Sequence, residues 1–339
     1  MIHNKIIMAK IKLNKNIEII EDLIEQLYKG DLRAIGRLMT LVENNIEIAE
    51  YVIKKIYPST KNAFVIGITG FPGGGKSTLI NAMLDILGRE NKKVGVICID
   101  PSSVFSGGSL LGDRIRMKRN FNNPNFFIRS MANRCQLGGL ARATKDMIKI
   151  LEAAGYDFII IETVGVGQSE IEIFHCSNIV ILVLVPNLGD EIQTLKAGIM
   201  EITDIFVINK MDLEGADRLF DELNSMIELN YSIQFKSKSN WRPSVLKINA
   251  LKGENVEKLI DEILNYKKFI ENSNELRNRL MIKYKKEVLD IMKYKLTKEI
   301  EQLIFHNEYI DKLINKIISK EVDSYTISEK IISELIHNR

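Results

Sequence analysis

Residues 70–78 read Gly70-Phe71-Pro72-Gly73-Gly74-Gly75-Lys76-Ser77-Thr78 and follow the apolar run AFVIGIT. The spacing is G-x-x-x-x-G-K-[ST], and between a strand and a helix it makes a phosphate cradle. Its glycines let backbone N–H groups curl around phosphate oxygens with no Cβ in the way. Lys76 then reaches the β and γ oxygens, and the Ser77 hydroxyl binds Mg2+. A second motif identifies the base. Asn209-Lys210-Met211-Asp212 closes the run DIFVIN, and its aspartate accepts from guanine N1–H and the 2-amino group. Adenine offers no such pair of donors. Leaving that carboxylate unpaired is costly, so GTP is chosen over ATP.

Further acidic groups stand at the ends of apolar runs. Glu162 closes FIIIETVGVGQ, where many GTPases carry Asp-x-x-Gly, and Gly165 supplies a backbone N–H near the γ-phosphate. Asp100 closes VGVICID, and Asp113 follows in GGSLLGDR. Carboxylates here complete a Mg2+ shell, directly or through waters, and orient the attacking water. Asp100-Pro101 also reads as an ordinary turn start, and Asp113 as a partner for Arg114 and Arg116. Spacing alone does not separate these readings.

The elements that must position these groups follow from periodicity. Seven β-rich runs, Phe64–Thr69, Val94–Asp100, Phe126–Arg129, Phe158–Glu162, Ile179–Val185, Ile205–Asn209 and Val245–Asn249, alternate with helical stretches. Continuous apolar strands between helices predict an α/β fold: a P-loop NTPase domain over residues 62–266 with a mainly parallel sheet covered on both faces. Ligands bind at the carboxyl ends of such strands, where each motif above falls. Residues 1–61 form a helical N-terminal region, with two helices divided at Gly30-Asp31 and ended by Tyr57-Pro58-Ser59. Residues 267–339 lose the strands. Apolar positions from Leu276 to Ile304 recur every three to four residues, predicting a long amphipathic helix or hairpin. A second helix covers Ile310–Ile318, and a short third begins at Thr326 or Ser328. This region is either a helix lying on the main domain or a dimerisation arm, since so long a stripe needs a partner surface.

Composition narrows the class. In 339 residues, 47 basic and 44 acidic side chains are interspersed and leave a net charge of +3, which argues against nucleic-acid binding by bulk charge. Cys98, Cys135 and Cys176 have no CxxC spacing, so neither a disulfide framework nor a zinc site is expected. The N-terminus lacks the apolar core of a secretory signal, and IVILVLV at 179–185 is too short to cross a bilayer. A cytoplasmic protein without membrane association is the expectation.

At this point the residues resemble a family. GITGFPGGGKSTLI, IDPSSVFSGGSLLGDRIRM, LGGLARAT, EAAGYDFIIIETVGVGQSE, GDEIQTLKAGIMEITDIFVINKMD and the terminal helical arm are similar to the MeaB/ArgK G proteins. Those are GTPases that accompany methylmalonyl-CoA mutase and related cobalamin-dependent acyl-CoA mutases. The likeness covers residues 15–335. It implies that Asp100, Asp113 and Glu162 surround Mg2+, and that Gly189-Asp190-Glu191, Gln193 and Lys196 form a third switch segment. There the lysine takes part in hydrolysis and in signalling to the mutase. Asp190 also fits a capping box with Gln193, and both roles can hold together.

Two departures stand out. The family's Ser-Ala-Leu guanine loop is Asn249-Ala250-Leu251 here, and its Arg-Gly-x-Leu-Gly-Gly stretch is Arg134-Cys135-Gln136-Leu137-Gly138-Gly139. The Ala250 backbone N–H can still meet guanine O6. The resemblance thus implies a homodimeric, Mg2+-dependent GTPase with a cobalamin-dependent acyl-CoA mutase as partner, gating cofactor loading and protecting against inactivation. Two other classes stay open. A metal-insertion GTPase normally carries a His- or Cys-rich cluster, which four scattered histidines do not supply. A P-loop kinase acting on a transport protein is poorly matched by the NKMD element.

Overall fold

The computed structural model describes residues 17–101, 120, 123–133, 139–163, 169–186, 197–233, 241–273, 275–305 and 307–337. Seven parallel strands make one sheet: β1 Phe64–Gly70, β2 Val94–Pro101, β3 Phe126–Asn133, β4 Phe158–Thr163, β5 Ile179–Leu184, β6 Ile205–Ile208 and β7 Ser244–Lys247, in the order β3-β2-β4-β1-β5-β6-β7. Every pairing is parallel. All seven expected strands form. β3 runs four residues past the expected Arg129, because its register with β2 continues from Ile97↔Arg129 to Pro101↔Asn133 after the apolar run has ended.

Alternation along the strands sends side chains to two faces. Ile66, Val96, Cys98, Ile160, Ile181 and Val207 pack under α4 (Lys76–Arg89) and α9 (Val256–Asn272). Their neighbours Val65, Ile97, Ile161 and Val180 face α5 (Gly139–Ala153), α6 (Ser169–Cys176) and the N-terminal helices. Toward β6, Leu182 and Phe206 are covered by α7 (Ala197–Ile202) and α8 (Ala216–Ile233).

Among its described residues the N-terminal region has three helices where two were expected: α1 over residues 17–28, α2 Leu32–Asn44 and α3 Ile46–Ile56. Asp31 caps α2 through Arg33 and Ala34 N–H, as the break at Gly30-Asp31 suggests. The extra break is at Asn45, whose extended backbone and side-chain oxygen, accepting from Glu47 and Ile48 N–H, start α3. Apolar residues continue across it, so periodicity did not reveal it. Arg129 on β3 fastens this layer: its guanidinium donates to Glu43 Oε2 at 2.8 Å and to the Gly36 carbonyl at 3.0 Å.

The chain divides into two compact units at Tyr284/Lys285. In the first, the opening turns of α10 (Glu275–Phe305) are held by Arg279, which donates to Asp204 at 2.8 and 3.3 Å. The same guanidinium lies over the Phe174 and Tyr266 rings. Burial is the largest influence and opposes its charge, but Asp204, Tyr266 and Glu275 together outweigh it and raise the guanidinium's proton affinity. In the second unit, α11 (Glu308–Ile318) and α12 (Ser324–His337) bury Ile310, Leu313 and Ile327. The last helix starts at Ser324, before the expected Thr326 or Ser328, because Asp323 caps it, accepting from Tyr325 and Thr326 N–H.

Candidate functional site

The phosphate loop lies between the end of β1 and the start of α4. Gly70 has φ 141°, and a Cβ there would run into the Val183 carbonyl of the neighbouring β5. Gly75 has φ 84°, and its Cβ would strike the Asn209 amide. Only glycine fits either position. Lys76 is 6% exposed, and its Nζ donates to the carbonyls of Gly70 at 2.7 Å and Phe71 at 2.9 Å. The loop is therefore wound around its own ammonium group. Pro72 and Gly73 face solvent, Phe71 and Thr78 are half-buried, and the positive end of α4 points into the turn.

One side of this loop gathers oxygen donors. Ser77 Oγ donates to Glu162 Oε1 at 2.7 Å, and both side chains are buried. Glu162 is the penultimate residue of β4, and the Cys98 thiol on β2 donates to its other oxygen at 3.6 Å. A serine hydroxyl beside a carboxylate is a hard donor set of the kind Mg2+ takes. Asp100 lies near the end of β2, its backbone in register with Ala132. Asp113, Gly165, Cys135 and the segment containing Asp190, Glu191, Gln193 and Lys196 lie outside the described residues.

The other side is organised by Asn209. Its Nδ2 donates to the Gly74 carbonyl at 2.8 Å, and its Oδ1 accepts from the backbone N–H of Lys210 and Ala250. One buried amide thus joins three segments that are remote in sequence. Lys210, at φ 58°, extends over the loop and donates to the Gly73 carbonyl at 3.2 Å. Asp212 accepts from Asn249 Nδ2 at 2.8 Å, and Lys252 Nζ stands 3.8 Å from its other oxygen. Leu251 is almost fully exposed at the rim.

Sequence reasoning did not single out two of these neighbours. Cys98 touches Glu162 only because parallel strands place them in register, and Lys252 reaches Asp212 because the 249–254 turn closes on itself through Asn249 and Glu254. Neither carries a local signal. Trp241 stacks edge-on against Tyr266 at 4.9 Å.

A parallel sheet with a lysine-filled phosphate loop after β1 and an NKxD element after β6 defines a P-loop GTPase. The chain belongs to the MeaB family: residues 35–303 match the family described as methylmalonyl Co-A mutase-associated GTPase MeaB. A protein of Pyrococcus abyssi is 46% identical over 317 residues, covering 94% of this chain and 97% of the relative. The mouse mitochondrial methylmalonic aciduria type A homolog is 33% identical over 289 residues, 80% of this chain and 69% of the relative. Among solved structures, the LAO/AO transport system kinase is 26% identical, with a TM-score of 0.65 and coverage of 94% and 97%.

Proposed function

We propose that this GTPase serves as a G-protein chaperone for a cobalamin-dependent acyl-CoA mutase, gating cofactor loading and protecting the mutase from inactivation. The observation that carries the reading is the match of residues 35–303 to a family described by its association with methylmalonyl-CoA mutase. The mouse relative, described by methylmalonic aciduria, supports the same direction.

Hydrolysis of GTP to GDP and phosphate needs positioning and charge compensation, with no covalent intermediate. Lys76 starts on the Gly70 and Phe71 carbonyls and exchanges them for phosphate oxygens. Its ammonium is already buried at the loop, so the exchange needs little further desolvation. Ser77 and Glu162 would hold Mg2+, with Asp100 and Asp113 completing its shell. A Mg2+ ion held there would supply charge neutralisation for the nucleotide phosphates. Asn209 keeps the phosphate loop and the guanine loop at a fixed separation, while Asp212 reads the base edge. Gly165 donates its backbone N–H near the γ-phosphate. Asp190, Glu191, Gln193 and Lys196 form the switch that reports nucleotide state to the mutase, with Lys196 acting in both turnover and signalling. The protein acts as a homodimer in the cytoplasm. Among the described residues no helix is long and apolar enough to cross a membrane.

The test is to titrate candidate acyl-CoA mutases into a phosphate-release assay while measuring nucleotide affinity. Stimulation is expected, and a mutase that prefers one nucleotide state must tighten that nucleotide by the same factor. Lys196→Ala should retain GTP and mutase binding and lose most of the stimulation. No stimulation and no affinity change with any such mutase would refute the assignment.

A further inference from the structure

We propose that Cys98 is a positioning residue for the magnesium side of the site, holding the Glu162 carboxylate in the orientation in which it faces Ser77. The inference rests on the reading of Glu162 as a Mg2+-side residue. In the parallel pairing of β2 with β4, Cys98 and Glu162 are register partners, so their side chains leave the sheet on the same face, toward α4. Cys98 is 1% exposed, Glu162 6% and Ser77 8%. Glu162 Oε1 accepts from Ser77 Oγ at 2.7 Å and Oε2 accepts from Cys98 Sγ at 3.6 Å.

A buried carboxylate must have its oxygens satisfied, and the positions of the donors fix its plane. The last side-chain torsion of a glutamate is a broad two-fold well, so a donor on one oxygen restrains it less than donors on both. A donor on the second oxygen, fixed on the adjacent strand, adds that restraint. The thiol suits the place. It is a weak donor that packs like a small apolar group, so it orients the carboxylate without adding charge or a strongly hydrated group. Its role is to keep Glu162 oriented when the Ser77 hydroxyl turns toward a cation.

The experiment measures affinity for a fluorescent GDP as a function of Mg2+, with EDTA as the metal-free reference, in wild type, Cys98→Ala, Cys98→Ser and Glu162→Gln. Cys98→Val serves if the alanine variant does not fold by thermal melt. We expect Cys98→Ala to raise the Mg2+ concentration for half-maximal effect by about 3–10-fold, the range of one modest hydrogen bond, with affinity in EDTA unchanged. Cys98→Ser, keeping a donor, should return to within about two-fold of wild type. The S–H stretching band lost in Cys98→Ser should also be shifted in Glu162→Gln. A wild-type Mg2+ response in Cys98→Ala, or equal impairment of the alanine and serine variants, overturns the proposal and leaves Cys98 a packing residue. If Glu162→Gln itself responds normally to Mg2+, the underlying reading of Glu162 fails and this proposal falls with it. A defective Glu162→Gln beside a normal Cys98→Ala sinks only the role of Cys98.

Discussion

The side-chain amide of Asn249 donates to Asp212 Oδ1 at 2.8 Å, while Asn249 Oδ1 accepts from the Lys252 backbone N–H at 3.2 Å. Asn249 thus braces the Asp212 carboxylate. Its backbone exchanges two hydrogen bonds with Glu254, so the brace stands on a closed turn. Asp212→Asn should weaken guanine nucleotides by about 10–100-fold, the value of a charge-assisted pair, and shift preference toward xanthosine nucleotides. Asn249→Ala should cost about 3–10-fold in GDP affinity by freeing the carboxylate, with Asn249→Ser between it and wild type. Competition of GDP, XDP, IDP and ADP against a fluorescent nucleotide checks both. Equal affinity of the wild-type protein for ADP and GDP would show that Asp212 does not read the base.

Lys76 gives a separate prediction. Its ammonium is buried against two loop carbonyls, so Lys76→Ala removes both the phosphate ligand and the group around which the loop is wound. GTP affinity should fall by at least about 100-fold, since positioning and charge compensation are the main contributions the protein makes. Equilibrium binding on material shown to be folded by its thermal melt reads this directly. Glu162→Ala, by contrast, should leave nucleotide binding largely intact in EDTA and at saturating Mg2+ and slow turnover. Normal turnover in that variant would make Glu162 structural.

The strands and both nucleotide motifs were legible because each depends on local sequence. Continuous apolar runs specify buried parallel strands, and the glycine and NKxD spacings specify loops at their ends. What could not be read depends on register and long-range closure. Asn209 reaching Gly74, Asn249 reaching Asp212 and Cys98 reaching Glu162 each join segments far apart in the chain. Asn45 escaped notice for a different reason. Leu41, Val42, Ile46 and Ile48 keep an apolar rhythm across the cap, so the pattern concealed the break that the Asn45 backbone makes at φ −140°.

The Asp204–Arg279 pair predicts a stability effect. Asp204 precedes β6 and also accepts from Val180 N–H at 2.9 Å; its side chain is 7% exposed and that of Arg279 is 19%. Arg279→Met leaves a buried carboxylate without its cation, which should cost about 3–5 kcal/mol. Replacing both residues with apolar ones should cost less than the sum of the single changes. Urea midpoints at unchanged m-value give the comparison. Additive losses would mean that the two side chains act independently.

The last prediction concerns assembly. Val288, Met292, Leu296 and Ile300 follow one another at four-residue spacing and are all exposed on the part of α10 that lies in the second unit. At 1.5 Å per residue they extend about 18 Å along the helix. A stripe of that length left in water is a strong signal of a protein surface to be covered. In a homodimer a second copy of this chain covers it, which fits a self-complementary contact. The paired variant Met292→Glu, Leu296→Glu places two charges in the stripe and should weaken association by at least about 100-fold, since each buried charge without a partner is costly. Truncation after Tyr284 should give a monomer that still binds GDP, because the phosphate loop, the NKMD element, the Asn249 turn and the Arg279 anchor all precede that point. Light scattering across a concentration series, with nucleotide binding measured on the same samples, separates assembly from folding. A full-length protein that is monomeric at micromolar concentration would exclude the homodimer, and a dimeric truncation would place its interface before residue 285.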